Sequence, residues 1–324
     1  MTITRQFNYD DIYLVPQKRI VNSRSECDIS VQLGDRVFAN PVIAANMKTV
    51  VDWKTCHFLA SQGMFYIMHR YHNLGNPQFA SQVQDSQEKF GFASVSIGVQ
   101  WADRQKLEYL AVNGTFPEFL TIDVAHAHAD QVAEMIKFAK ETLPTFVIAG
   151  NVGTPEGVAF LEDAGADCVK VFIGPGAACT TKKKTGFTVG TVSCLLECAA
   201  SAKVPLIADG GIRECGDIAK AMACGATMVM AGMFMCAFDE SPGLTMPIEG
   251  SLKYLYYGSA SYNMKRDSKY IEGKDILVPY KGSMKKHIED IECSLKSACS
   301  YAGVQKISEM YEKNIPMISF KGED

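Results

Sequence analysis

A closed barrel of alternating strands and helices, (β/α)8, is the α/β architecture that this sequence predicts. Three observations carry the expectation. Eight short apolar runs recur in order, and most lack polar alternation, as strands buried on both faces do. Segments with helical spacing lie between them. No Gly-x-Gly-x-x-Gly turn follows the first run, which weakens the competing reading, a doubly wound open sheet.

The runs are Pro41–Ala45, Met64–Met68, Ser94–Gly98, Phe119–Asp123, Phe146–Gly150, Cys168–Phe172, Leu206–Asp209 and Met228–Ala231. Helical spacing marks Asp52–Gln62, Asp103–Val112, Ala129–Thr142, Pro155–Ala164 and Cys215–Ala223. Thr154-Pro155-Glu156 supplies a cap, a proline at the first helical position and an early acid. The longest interval between runs, from Phe172 to Leu206, belongs to the face where such barrels carry their chemistry. No domain-sized insertion interrupts the set, so residues 1–324 are expected to form a single domain. Residues 239–282 are polar and aromatic with several glycines, and read as a loop excursion with short elements. A closing amphipathic helix is expected at Ile288–Tyr301, and a surface tail at Lys313–Asp324.

Composition narrows the functional classes. A net charge of −4 argues against a general affinity for nucleic acid or acidic membranes. The amino-terminal residues have no apolar signal core, and no run approaches the ~20 apolar residues of a membrane span. Eleven cysteines without a Cys-x-x-Cys pair fit reduced thiols in a cytoplasm.

One of those thiols stands out. Cys179 follows Ile173-Gly174-Pro175-Gly176-Ala177-Ala178, a turn of little bulk at the carboxyl end of a strand. Such a turn presents a nucleophile to a flat substrate. The plainer reading is a small buried apolar residue, as free cysteines often are. Asp209-Gly210-Gly211 and Ala231-Gly232 end the last two runs, where barrels of this class cradle phosphate on backbone N–H groups. Asp209, being acidic, suits a ribose hydroxyl. Asp123 ends the fourth run and can orient a cofactor or ligand hydroxyl. His126 and His128 lack a third ligand cluster, so a loop role is favoured over a metal site. Lys182-Lys183-Lys184 reads as a solvated surface.

Together these residues resemble the inosine monophosphate dehydrogenase and guanosine monophosphate reductase family. The cysteine loop Ile173–Thr181 carries the resemblance, with Asn46-Met47, Asp209-Gly210-Gly211-Ile212, Tyr257-Gly258-Ser259-Ala260-Ser261, Glu272-Gly273-Lys274 and Tyr280-Lys281-Gly282. It spans about Phe7 to Gly303. Dehydrogenases of the family carry a regulatory domain after the second strand and a long flap with an Arg-Tyr pair. Here about 22 residues separate Tyr71 from Ser94, and 22 lie between Tyr257 and Tyr280. The likeness is therefore to the reductase branch, of its shorter bacterial type. Phe172 departs from the pattern, standing where the family usually has glycine.

The resemblance implies NADPH-dependent reductive deamination of GMP to IMP, with release of ammonia through a covalent thioimidate. It implies Cys179 as nucleophile, with Thr181 and Glu272 handling the proton of the departing amine. Asp209, Gly210, Gly211, Ala231 and Gly232 would hold the ribose phosphate, with Gly258, Ser259, Ala260 and Gly273 along the nucleotide. Ser23, Arg24, Arg70, Asp123, Val124, Ala125, Ile173 and Gly174 would approach NADPH. A potassium ion would rest on the carbonyls of Gly174, Gly176 and Cys179, in a catalytic loop of about residues 173–190 beneath a short flap of about 258–282. The family also implies a homotetramer. Two rivals stay open: a minimal IMP dehydrogenase lacking the regulatory domain, and a non-catalytic purine-nucleotide-binding barrel.

Overall fold

The computed structural model describes residues 4–265 and 269–319. Residues 1–3, part of the expected flap and the last five residues of the expected tail lie outside the described residues.

Seven parallel strands form one curled sheet: Val42–Ala44, Ser94–Ile97, Phe119–Asp123, Phe146–Val152, Cys168–Val171, Leu206–Asp209 and Met228–Ala231. From Ser94–Ile97 onward, neighbours in sequence are neighbours in space. The first strand, Val42–Ala44, pairs with the last, Met228–Ala231. That pairing curls the sheet into an α/β barrel. The eighth position belongs to Met64–Met68, where the sequence predicts a full strand. There the structure shortens the expectation to one parallel bridge, Met68 with Val95. It is held by Met68 N to Ser94 O and Ser96 N to Met68 O, each 3.0 Å. The bulk of this segment packs inward. The Phe65 ring lies 5.0 Å from Phe38 and 4.9 Å from Phe119, in an aromatic cluster that includes Phe92.

The expected helices are found at Trp53–Ser61, Trp101–Val112, Asp130–Thr142, Pro155–Asp163 and Cys215–Ala223. Thr154 caps the fourth as its sequence suggests, its hydroxyl accepting from Gly157 N at 3.1 Å. Two longer helices, Asn76–Phe90 and Thr191–Ala199, escape the sequence reading, as do the short ones at Thr181–Thr185 and Tyr262–Lys265. The first is mostly polar and buries only Phe79, Ala80, Val83 and Ser86, a narrow stripe. The second carries Cys194 and Cys198 on one face, their sulfurs 3.9 Å apart.

The excursion after the barrel is more regular than expected. Thr245–Ile248, Ser251–Tyr257 and Asp275–Pro279 form an antiparallel sheet. Its central strand buries Tyr254 and Tyr256, two residues apart on one face. The closing helix runs longer than its apolar stripe suggests, from Met284 to Ala302. Part of the expected surface tail is also structured: Met317–Ile318 pairs antiparallel with Tyr13–Leu14. Among the described residues, no helix is long and apolar enough to cross a membrane.

Candidate active site

A cavity of about 410 Å³ opens at the carboxyl ends of the barrel strands. Cys179, Thr181 and Glu272 line one wall; Gly258, Ser259, Ala260 and Gly273 continue it. Asp209, Gly210, Gly211 and Gly232 lie on the strand-end side. Arg70, Asp123, Val124 and Ala125 border the same space, as do Ile173, Gly174 and Gly176.

Three expected residues fall outside it. Ala231 is buried within its strand, at the cavity's edge only through Gly232. Ser23 and Arg24 are exposed on a short turn, where the Arg24 guanidinium donates to Ser297 Oγ at 3.0 Å on the closing helix. His126 and His128 do not line the cavity; their ring centroids are 6.5 Å apart, and His128 packs on Phe160.

The reactive wall is a short chain of polar contacts. The Cys179 thiol donates to Thr181 Oγ1 at 3.1 Å, and the Thr181 hydroxyl donates to Glu272 Oε2 at 2.7 Å. All three side chains are half-buried, open to a ligand yet shielded from bulk solvent. Two chain segments distant in sequence are joined to build this wall. Cys179 bridges Gly273 antiparallel, Thr180 N donates to Glu272 O at 2.8 Å, and Lys274 N donates to Ala178 O at 2.9 Å. The cysteine loop and the segment carrying Glu272 thus form one small ladder.

Gly210 sets the opposite wall against that loop. It has φ +107°, and a Cβ there would meet Pro175 Cγ at 3.2 Å and Gly176 N at 3.4 Å. Only glycine combines this backbone with so close an approach. Phe172 takes a similar conformation, φ 97°, with a side chain that is 1% exposed. Its ring meets Tyr9 edge-on at 6.4 Å. A buried aromatic thus occupies a backbone region that disfavours one.

The floor carries a group that sequence reasoning left unassigned. Lys170 sits in the Cys168–Val171 strand and is 1% exposed. Its ammonium donates to Asp209 Oδ2 at 2.9 Å and Asp123 Oδ1 at 3.3 Å. Burial alone would push the lysine pKa down; Asp209 and then Asp123 outweigh burial and hold it above its ordinary value. Asn151 Nδ2 also donates to Asp209 Oδ2, at 2.9 Å, and to Phe172 O, at 3.0 Å. Arg70 approaches the far side of Asp123, Nε to Oδ2 3.7 Å. The one signal available was a lysine inside an apolar strand run.

Comparison with known proteins agrees with the geometry. Residues 6–320 match the family described as IMP dehydrogenase / GMP reductase domain. A GMP reductase of Acidovorax sp. (strain JS42) is 50% identical over 311 residues, covering 95% of this chain and 94% of its own. One of Staphylococcus saprophyticus is 48% identical over 307 residues, covering 94% and 93%. Another, of Lactococcus lactis subsp. cremoris (strain SK11), is 48% identical over 308 residues, covering 94% and 92%. With the match running nearly end to end, the chain belongs to the IMP dehydrogenase / GMP reductase family.

Proposed function

We propose that this protein is a GMP reductase, converting GMP to IMP and ammonia at the expense of NADPH. The observation that carries the reading is the Cys179–Thr181–Glu272 chain, at 3.1 and 2.7 Å, in a cavity that also holds Asp209, Gly210 and Gly211. The 48–50% identity to proteins named GMP reductase supports the same branch.

In this reading GMP lies with its purine against Cys179 and its ribose toward Asp209. The Cys179 sulfur adds to C2 of the purine. The 2-amino group, protonated through Thr181 and Glu272, leaves as ammonia as its C–N bond breaks, and a thioimidate remains on Cys179. NADPH supplies the hydride to C2 when bound. Breaking the C2–S bond then releases IMP, and the thiolate regains its proton. The hydroxyl of Thr181 lies between thiol and carboxylate, as such a proton path requires.

The Arg70–Ala125 side of the cavity suits the dinucleotide. Arg70 lines this side with its Nε 3.7 Å from Asp123 Oδ2, and its guanidinium brings positive charge to a wall that an anionic ligand would meet. Arg70, Asp123, Val124, Ala125, Ile173 and Gly174 would hold it. Ser23 and Arg24 lie elsewhere on the chain, so a role for them requires a ligand or subunit reaching beyond this cavity. A potassium ion on the Gly174, Gly176 and Cys179 carbonyls belongs to the same reading. The Gly176 carbonyl accepts Cys179 N at 2.9 Å and keeps a second lone pair. A cytoplasmic homotetramer completes the reading.

One spectrophotometric assay separates it from its rivals. GMP-dependent loss of NADPH absorbance is the expected result. IMP-dependent gain of NADH absorbance, without the former, would instead make the protein a minimal dehydrogenase. Neither signal would make it a nucleotide-binding barrel.

A further inference from the structure

We infer that Lys170 is a positioning residue that joins the two ligand subsites, orienting Asp209 toward the nucleotide and Asp123 toward the dinucleotide with one buried ammonium. The inference rests on the proposed function for the identity of the two ligands.

Strand register makes the arrangement possible. Asp123 pairs with Gly150 across one strand boundary, and Gly150 pairs with Lys170 across the next. The middle position has no side chain. A Cβ on Gly150 would lie 2.5 Å from Lys170 Cβ and 2.7 Å from Lys170 O, inside any real contact. The gap lets the lysine stem lean over Gly150 and reach a carboxylate two strands away. On its other side the same ammonium meets Asp209, which ends the adjacent Leu206–Asp209 strand.

The charges form a line: Arg70, Asp123, Lys170, Asp209, with Nε–Oδ2 3.7 Å, Nζ–Oδ1 3.3 Å and Nζ–Oδ2 2.9 Å between successive members. Two basic and two acidic side chains alternate along the cavity floor, so their formal charges cancel. Lys170 is the only one of the four that is fully buried. Its third neighbour is Met230 Sδ at 3.9 Å, which offers no competing charge. A ligand therefore meets the carboxylates, and the lysine acts through them. At Asp209 both protein donors, Lys170 and Asn151, fall on Oδ2. Oδ1 accepts none among the described residues, and this is the oxygen left to face a ribose.

A cation shared in this way ties two affinities together. In a Lys170→Met variant both carboxylates lose their shared donor, keeping only Asn151 at Asp209 and Arg70 near Asp123, and the cation between the two acidic groups is gone. GMP and NADP⁺ affinities, each measured alone by calorimetry, are expected to weaken in parallel by about tenfold or more. Turnover at saturation of both ligands is expected to change far less, because Cys179, Thr181 and Glu272 are untouched. Lys170→Arg, which keeps the charge and the reach, is expected to recover most of both affinities. Weakening of one ligand alone, a fall in turnover with unchanged affinities, or no gain from arginine over methionine would each overturn the inference.

Should Lys170→Met fail to fold, Asp123→Asn decides. It leaves Lys170 with Asp209 as its one carboxylate and resets that contact, so GMP affinity is expected to change severalfold although Asp123 lies on the dinucleotide side. GMP affinity within twofold of wild type would refute the coupling. Wild-type measurements keep the two questions apart. If the wild type neither binds GMP nor consumes NADPH with it, the functional reading fails. If it does both while Lys170→Met retains both affinities, only the inference about Lys170 fails.

Discussion

At the scale of single residues the reading turns on a thiol, a hydroxyl and a carboxylate in line. In the proposed mechanism the Cys179 sulfur holds C2 covalently, and alanine in its place removes that atom. Turnover is expected to fall by about 10⁴-fold or more, with GMP affinity within a few-fold of wild type because the phosphate and ribose contacts lie on other strand ends. Calorimetry beside the NADPH assay checks both halves. Glu272→Gln is a finer cut. Thr181 donates to Glu272 Oε2, and an amide oxygen can still accept that bond while losing the proton-carrying capacity. Forward deamination is expected to slow by about 10²-fold. A reverse single turnover from IMP and NADP⁺ is expected to keep forming NADPH, since hydride transfer needs no proton on an amine. Equal loss in both directions would remove Glu272 from the proton path.

Cys179 was legible in its own loop, where a thiol follows Gly174-Pro175-Gly176, whereas Thr181 and Glu272 were legible only through the family resemblance. Lys170 was not. Its role depends on Gly150 across the strand boundary, and register between strands leaves no mark on a linear pattern of apolar residues.

Among elements, the runs Phe119–Asp123, Leu206–Asp209 and Met228–Ala231 are strands to the residue. Met64–Met68 read as a strand, yet Phe65 and Tyr66 are drawn into packing below the barrel and only Met68 pairs. Helix Asn76–Phe90 went unread because most of it faces solvent, so its apolar period is faint. The loop elements offer a sharper test. Phe172 spends about 1–3 kcal/mol on its left-handed backbone. Its buried ring contributes about 3–5 kcal/mol by comparison with truncation elsewhere. Phe172→Gly is therefore expected to destabilise the protein by roughly 1–3 kcal/mol, the ring outweighing the relieved backbone. A urea midpoint that rises instead would show the strain to be the larger quantity. Gly210→Val tests the facing turn. Its side chain would press on Pro175 and Gly176, so GMP affinity and turnover are both expected to fall by more than tenfold as the cysteine loop shifts.

For the molecule as a whole, two buried histidines tie stability to pH. Burial depresses the pKa of His69 and of His72 to about 4, with Lys106 adding to the effect at His72. Their unfolded values lie near 6.5, so below that pH the unfolded chain binds more protons than the folded one. Stability is therefore complete above about pH 6.5 and drains away as the pH falls toward 4. His72 stacks on Phe79 at 4.7 Å, and neither ring nitrogen has a partner among the described residues. His72→Phe keeps the stack and deletes the proton site. Its melting temperature is expected to match or exceed wild type at pH 7.5 and to fall less between pH 7.5 and 5. A pH slope identical to wild type would exclude His72 as a contributor.

The ladder that joins Cys179 to Gly273, and Thr180 to Glu272, has a kinetic meaning beyond geometry. Nucleophile and acid are aligned by the same few backbone bonds, so they are assembled and dismantled as one unit. A change that breaks the rungs therefore separates the thiol from its partner carboxylate as well. The two reacting groups thus share a single point of failure, and damage to either segment disarms both.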